Sequence, residues 1–343
     1  KMLFSQCLLL IIKLNKGVIN MNNFKKIGLS ALAGSLVAMS AHAEVAVSGG
    51  ASVAIGKTHD SDKTYYYQND SISFTVSGET DGGLTVTTKL ELDGAGAAST
   101  GSFDDRSIAI SSEGMGTVTY SAHGGSSVVG GWDDVMPTAY EEVFALTKNA
   151  GDAVTGAGNI VIAGASGGGL WRYDSPSVGG VSFSAAYQAA NATTGRTSSY
   201  ADMGIKISPE MVEGLELGYA AGEYDEAADT LGIDVTTMYA KYTYGSLTVG
   251  YQMSENDGPT ATASDESDSW AVSYAVNDDL SVSYGQHKLD LGSSTSDQES
   301  SGFSASYTMG GTTISTAFNE TENIRGAAAN DEDSFEIALS FAF

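Results

Sequence analysis

A catalytic serine is the first chemistry that the residue types suggest, within Gly164-Ala165-Ser166-Gly167-Gly168. The pattern G-x-S-x-G can present a serine nucleophile on a sharp turn between a strand and a helix. The preceding N-I-V-I-A run is typical of a strand, but the following G-L-W-R-Y-D-S-P stretch is not typical of a helix. In a chain with 42 glycines a chance match is expected. We therefore predict no catalytic residue and no enzyme activity.

Metal chemistry has little support in the sequence. The three histidines after residue 43, His59, His123 and His287, lie too far apart for a zinc motif. The acidic clusters at 265–268 and 331–333 could bind Ca²⁺ weakly through oxygen ligands, although solvated loop tips are the favoured interpretation. We predict no metal site and no other cofactor.

The first 43 residues resemble an export signal rather than part of a fold. After Met21 come two lysines, an apolar stretch and an A-H-A triplet, which is the order of a secretory signal peptide with cleavage after Ala43. We interpret residues 1–20 as an upstream extension from a misassigned start, with a genuine long leader as the alternative. The single cysteine, Cys7, falls in this part, so disulfide and thiolate chemistry are excluded for the exported chain.

The exported chain is strongly acidic. The sequence has 42 acidic and 16 basic side chains, and five of the lysines lie in the first 43 residues, so residues 44–343 carry 11 basic groups and a net charge of about −31. Such a charge makes nucleic acid and anionic membrane surfaces poor partners. Beyond the leader, no run approaches the length of an apolar membrane helix.

Hydrophobic residues at every second position recur throughout residues 44–343, which is the period of β-strands. Short turns, such as T-D-G-G at 80–83, alternate along the chain with long polar loops, such as 58–68. This alternation indicates an up-and-down antiparallel sheet of sixteen strands. The predicted strands are residues 45–57, 70–80, 83–92, 105–112, 116–123, 169–175, 180–190, 199–208, 214–224, 234–244, 246–255, 267–276, 279–289, 298–309, 311–320 and 333–343.

One face of these strands is large and apolar, and the other is mostly Ser, Thr, Gly and Ala. The last strand shows this best, because one parity holds Phe335, Ile337, Leu339, Phe341 and Phe343. The pattern fits a closed barrel with lipid outside and water inside, in which the last strand pairs with the first. The sequence therefore predicts an all-β, 16-stranded antiparallel transmembrane β-barrel with short periplasmic turns and long extracellular loops. A soluble, secreted β-rich binding protein or adhesin is the alternative.

One connection is much longer than the rest, residues 124–168, which we call the third loop. Structureless loops of this length are usually functional. With the signal peptide, the sixteen alternating strands and the terminal Phe343, this loop makes the chain resemble the general diffusion porins of Gram-negative outer membranes. The stretches E-V-A-V-S-G-G-A-S-V (44–53) and V-S-G-E-T-D-G-G-L (76–84) resemble the alphaproteobacterial branch, and the resemblance covers the porin barrel at 44–343.

The resemblance implies a third loop that folds into the barrel and narrows it, with acidic side chains facing basic ones on the opposite wall. Carried over by position, the acidic side is Asp133, Asp134, Glu141 and Glu142, and the basic side is Lys89, Arg106 and Arg172. Arg106 shares parity with Ile108 and Ile110, so either a bulge turns it inward or it lies in the loop zone.

The resemblance also implies location and partners. It implies a homotrimer in the outer membrane, in contact with the lipid bilayer and lipopolysaccharide, inserted by the barrel assembly machinery, with Leu339, Phe341 and Phe343 as the assembly signal. The predicted function is a water-filled channel for passive diffusion of small hydrophilic solutes and ions, with a cation preference from the acidic third loop. The alternative is a substrate-selective channel in which Trp132 or Tyr140 binds a sugar or similar solute.

Overall fold

The computed structural model describes residues 43–58, 64–93, 103–133, 135–146, 162–191, 196–225, 232–260, 263–328 and 330–343. The upstream extension at 1–20 and the signal peptide up to residue 42 lie outside the described residues, as do His59 and Asp134. Among the described ranges, no helix is both long and apolar enough to cross a membrane.

Sixteen strands close into one antiparallel barrel, which confirms the predicted fold. Each strand pairs with its neighbours in sequence, except that β5 pairs with β8 because the short β6 and β7 form a separate two-stranded sheet. The strands are β1 Ala43–Thr58, β2 Thr64–Glu79, β3 Thr85–Asp93, β4 Asp105–Ser112, β5 Gly116–His123, β6 Gly125–Ser126, β7 Ser166–Gly167, β8 Leu170–Asp174, β9 Val181–Gln188, β10 Tyr200–Ile207, β11 Leu215–Tyr224, β12 Ile233–Tyr244, β13 Leu247–Asp257, β14 Asp265–Ala275, β15 Leu280–Leu291, β16 Gln298–Met309, β17 Thr312–Glu322 and β18 Glu332–Ala342. A 3-10 turn, Ile324–Gly326, precedes β18.

The barrel closes between its first and last strands. Val53 lies opposite Leu339, and Ile55 lies opposite Ile337. Pairing continues to the final residue, because Phe343 and Gly49 exchange main-chain hydrogen bonds of 3.0 and 3.1 Å. The predicted closure of the last strand on the first is therefore confirmed.

The two faces of the wall follow the predicted parity. On β18, Leu339 is 51% exposed and Ile337 44%, whereas Ala338 between them is 4% exposed. Eight tyrosines that share the apolar parity are also exposed on the outer face. They are Tyr187, Tyr219, Tyr242, Tyr244, Tyr251, Tyr274, Tyr284 and Tyr307. An apolar outer surface with aromatic residues near strand ends is the pattern of a barrel that lies in lipid.

Glycines make the short turns possible. Gly116 begins β5 with a φ of +80°, and an added Cβ would lie 2.2 Å from the carbonyl oxygen of Asp174. Gly214 has a φ of +84°, and its Cβ would lie 2.0 Å from the carbonyl oxygen of Thr243. Only glycine tolerates both the left-handed conformation and the close approach of a neighbouring backbone.

One strand is longer than its sequence suggests. β2 begins at Thr64, six residues before the predicted start, so the end of the predicted loop 58–68 is strand. Tyr65 and Tyr67 pair there with Gly56 and Ala54 of β1. The polar composition of this stretch favoured a loop, but pairing with the long β1 satisfies its backbone groups and keeps it extended.

Candidate functional site

The third loop leaves the barrel wall through a small ladder. Gly125 lies opposite Gly167, and Ser126 lies opposite Ser166, as β6 and β7. An added Cβ at Gly168 would lie 2.3 Å from the carbonyl oxygen of Ala122, so this glycine permits close backbone approach. The G-x-S-x-G stretch therefore leads into strands β7 and β8 and not into a helix. Its serine has no nucleophile elbow.

A wall cation and a wall anion hold the start of the third loop. The Val129 amide donates to Asp202 Oδ2 at 2.8 Å, and Arg172 Nη1 donates to the Ser127 carbonyl oxygen at 3.0 Å. The turn between them closes through a hydrogen bond from the Gly131 amide to the Ser127 carbonyl oxygen. Val128 and Val129 are fully buried and belong to a cluster with wall residues of β11 and β12. Packing and two charged contacts therefore fix this end of the loop.

The loop then follows the inner wall. The Trp132 ring meets Tyr239 edge-on, with centroids 5.3 Å apart. Farther along, the Ala139 amide donates to Ser283 Oγ at 2.9 Å, and the Tyr140 amide donates to Ser304 Oγ at 3.1 Å. These partners lie on β12, β15 and β16, so the third loop folds into the barrel as predicted. The Trp132 ring is occupied by this packing, which weakens the prediction that it binds solute.

At its far point the loop meets a buried carboxylate. Tyr140 donates from its hydroxyl to Glu336 Oε1 at 2.6 Å, and Glu336 is 2% exposed on the inner face of β18. Burial and the hydrogen bond to Glu336 raise the pKa of the Tyr140 hydroxyl above its ordinary value. The hydroxyl therefore stays protonated at neutral pH and acts as the donor.

The sequence-predicted acids lie on this stretch of the loop. Asp133, Glu141 and Glu142 are half-buried, and each has an interaction partner. The carbonyl oxygen of Glu142 accepts a hydrogen bond from Asn319 Nδ2 at 3.1 Å, so this part of the loop lies against β17. Whether these carboxylates line the narrowest part of the pore stays a prediction.

The predicted wall cations are neutralised by their own neighbours. Lys89 Nζ lies 2.8 Å from Glu91 Oε2 and 3.2 Å from Asp105 Oδ2. Arg172 donates from Nε and Nη2 to Asp174 at 3.0 to 3.1 Å. Two further inward-facing cations among the described residues, Lys206 and Lys241, share the carboxylate of Glu216, at 3.7 and 3.3 Å. Each of these four cations thus contacts a carboxylate, and they do not form a basic cluster free of acidic partners.

Arg106 does not belong with these wall cations. It is exposed and keeps the parity of Ile108 and Ile110, which are exposed on the outer face. A bulge is present, but the extra residue, Ala122, lies in β5, so the bulge sets His123 opposite Arg106 and leaves the direction of β4 unchanged. We therefore correct the assignment of Arg106 to the basic side of the pore.

Sequence reasoning missed two tyrosines of the inner wall. Tyr65 and Tyr67 donate to Glu336 at 2.9 and 2.8 Å. Their alternation with Tyr66, which is 72% exposed, was a strand signal that the polar neighbours obscured. Among the described residues, no group of three or more His, Cys, Asp or Glu side chains is arranged to hold a metal ion.

Comparison with protein-family sequence models identifies the family to which this barrel belongs. The sequence model of the Gram-negative porins matches residues 28–343. The chain belongs to the Gram-negative porin family. This porin is thus an outer-membrane channel protein for diffusion and not an enzyme. No curated protein sequence matches it significantly.

Solved structures agree with the fold. An anion-selective porin from Comamonas acidovorans covers 88% of this chain and 100% of its own, with a TM-score of 0.65 at 14% identity. A mutant of the Rh. blastica porin gives the same coverage, with a TM-score of 0.62 at 16% identity. OmpT of Vibrio cholerae covers 89% of this chain and 98% of its own, with a TM-score of 0.65 at 11% identity. At such identities these relatives show the barrel and not its selectivity.

Proposed function

We propose that this porin is a homotrimer whose water-filled channel passes small hydrophilic solutes and ions by passive diffusion and prefers cations. The cation preference is supported by a difference in how the cations and the carboxylates of the inner wall are partnered. The inward cations Lys89, Arg172, Lys206 and Lys241 each lie within 4 Å of a carboxylate. The carboxylates of Asp202 and Glu336, by contrast, accept from neutral donors, and no cation among the described residues lies within salt-bridge distance of either.

Neutral donors stabilise a carboxylate without cancelling its charge. Asp202 is held by the Val129 amide and the Tyr200 hydroxyl, and Glu336 is held by three tyrosines. Both acids are buried in the inner wall, where a low dielectric directs the field into the water of the channel. In bulk water a carboxylate roughly 8 Å from an ion is worth about 0.5 kcal/mol. Several acids therefore support a preference of severalfold.

Third-loop carboxylates add to this field. Asp133, Asp134, Glu141 and Glu142 together contribute about 2 kcal/mol at the same distance. The test replaces all four by their amides, which keep size and hydrogen bonding, and records single channels in a planar bilayer. The conductance should change little while the reversal potential in a KCl gradient moves toward zero. An unchanged reversal potential would show that these four acids do not contribute to the ion selectivity.

Passive diffusion predicts a conductance without saturation. Current should rise with salt, and millimolar sugar should not block it, because the aromatic side chains Trp132 and Tyr140 are already packed or hydrogen-bonded. A saturable block by one sugar would favour a substrate-selective channel instead.

Assembly and export complete the proposal. We expect cleavage after Ala43, insertion by the barrel assembly machinery and contact with lipopolysaccharide, and N-terminal sequencing of the protein from outer membranes should begin at Glu44. Chemical cross-linking in detergent should give trimers. We propose no metal or other cofactor: the stretch 265–268 begins β14, and Glu332 in the stretch 331–333 is buried, so neither stretch is a fully solvated loop tip.

A further inference from the structure

The Glu336 carboxylate accepts hydrogen bonds from tyrosine hydroxyl groups in two distant parts of the chain. Tyr65 donates to its Oε2 at 2.9 Å, and Tyr67 and Tyr140 donate to its Oε1 at 2.8 and 2.6 Å. We call these four residues the tyrosine–Glu336 cluster. Two of the donors belong to β2 of the wall and the third belongs to the third loop. The carboxylate therefore joins the loop to the barrel.

A glycine in β1 leaves room for the Tyr65 side chain of β2 to reach Glu336 of β18. These strands flank β1, and Gly56 of β1 lies opposite both Glu336 and Tyr65. An added Cβ at Gly56 would lie 2.2 Å from the Tyr65 hydroxyl oxygen. Tyr65 therefore crosses over β1 because position 56 has no side chain. Ala54, opposite Tyr67, is also small and is fully buried.

Two stacked tyrosines build the wall side of the cluster. The Tyr65 and Tyr67 rings are stacked, with centroids 6.0 Å apart and planes 15° apart. They hold the Glu336 carboxylate from the β2 side and leave Oε1 in reach of Tyr140. Hydrogen bonds to a charged acceptor are stronger and more directional than those between neutral groups. The nearby contacts of the loop, from the Ala139 and Tyr140 amides, go to the neutral hydroxyls of Ser283 and Ser304.

We propose that Glu336 is the positioning residue that holds the far point of the third loop against the wall and so keeps the open cross-section of the channel constant. The inference concerns loop position and depends on the chain forming a channel, but not on its cation preference. With the Tyr140 bond intact, the loop has one position at this point. Without it, the loop retains weaker neutral contacts and visits other positions, which changes the current through the pore.

Single-channel recording of the purified porin in a planar bilayer tests this proposal. Tyr140→Phe removes one hydroxyl and no charge, and Tyr66→Phe is the matched control, because Tyr66 lies between the two wall tyrosines but is exposed on the outer face. Tyr140→Phe should raise the frequency of excursions to other conductance levels by roughly tenfold or more. Tyr66→Phe should record as wild type. Equal excursion frequencies in all three proteins would overturn the proposal.

A second variant separates positioning from general stability. Glu336→Met keeps a side chain of similar size but removes both acceptor oxygens, and with them the bond to Tyr140. Its excursions should be at least as frequent as those of Tyr140→Phe, and adding Tyr140→Phe to Glu336→Met should not increase them further, because the Tyr140 bond is already absent. If the two substitutions add, the Tyr140 hydroxyl does not act through Glu336 and the proposal is overturned. If Glu336→Met fails to assemble, the excursion frequency of Tyr140→Phe against Tyr66→Phe still decides. The reversal potential of Tyr140→Phe, which tests the cation preference separately, should equal that of wild type.

Discussion

Phe343 and Gly49 exchange both of their main-chain hydrogen bonds, so the last residue of the chain is paired with the first strand. The Phe343 ring also lies over Gly49, and a Cβ added there would be 2.9 Å from its Cζ and 2.5 Å from the carbonyl oxygen of Ser71. The closure of the barrel therefore depends on an aromatic residue at one end and a glycine at the other.

Gly49→Ala should impair assembly for this reason. The added methyl group must displace either the terminal ring or the backbone of β2, so we expect less folded protein in the outer membrane. We expect the same result from deletion of Phe343. Heat-modifiable mobility on gels measures the folded fraction. Gly114→Ala is the control, because a Cβ there meets nothing within 4 Å. Equal folded fractions for Gly49→Ala and Gly114→Ala would contradict the account.

Leu339→Arg tests the direction of the last strand. Leu339 is 51% exposed on the outer face, and a charged side chain near the middle of the bilayer costs about 2 to 4 kcal/mol. We expect a lower level of folded barrel and a lower urea midpoint in lipid vesicles. Ser340→Asn, on the opposite face, should be tolerated. Wild-type behaviour of Leu339→Arg would show that this face does not meet lipid.

Asp202→Ala should loosen the start of the third loop. It leaves the buried Val129 amide without its acceptor, which costs about 1 to 3 kcal/mol. Asp202→Asn retains an acceptor oxygen and should restore most of the thermal stability while reducing the cation preference. Melting followed by circular dichroism and reversal potentials measure the two effects. If the alanine and asparagine variants melt alike, the hydrogen bond to the loop is not what Asp202 supplies.

Lys89→Gln should strengthen the cation preference. The lysine lies between Glu91 and Asp105, and its removal leaves two carboxylates uncompensated on the inner face. The reversal potential in a KCl gradient should move further in the cation direction. Arg106→Gln, which removes a charge from the outer face, should leave it nearly unchanged. A larger shift for Arg106→Gln than for Lys89→Gln would reverse the assignment of the two faces.

Much of the fold follows from the period of the sequence. Alternation predicted the sixteen strands, the lipid-facing parity of Leu339 and the pairing of the last strand, because each depends on side-chain direction within one strand. The pairing of Lys89 with Glu91, and of Arg172 with Asp174, was also readable, since residues two apart in a strand share a face.

The loop and its anchors were not predictable in this way. The third loop has no period, so its path along β12 to β17 depends on contacts with residues far away in sequence. The role of Gly56 appears only when β1, β2 and β18 are aligned side by side. Tyr65 was assigned to a loop because its polar neighbours outweighed its alternation with Tyr66. Such cross-strand relationships depend on register, which a single sequence does not specify.

The reversal potential of the wild-type porin in a KCl gradient tests the cation preference most directly. In dilute salt, near 0.1 M, the Debye length is about 10 Å and the wall carboxylates act across the channel. We predict a severalfold preference for K⁺ there, which falls at about 1 M, where the Debye length is about 3 Å. A reversal potential near zero in dilute salt, or one of the sign that Cl⁻ preference produces, would contradict the proposed function.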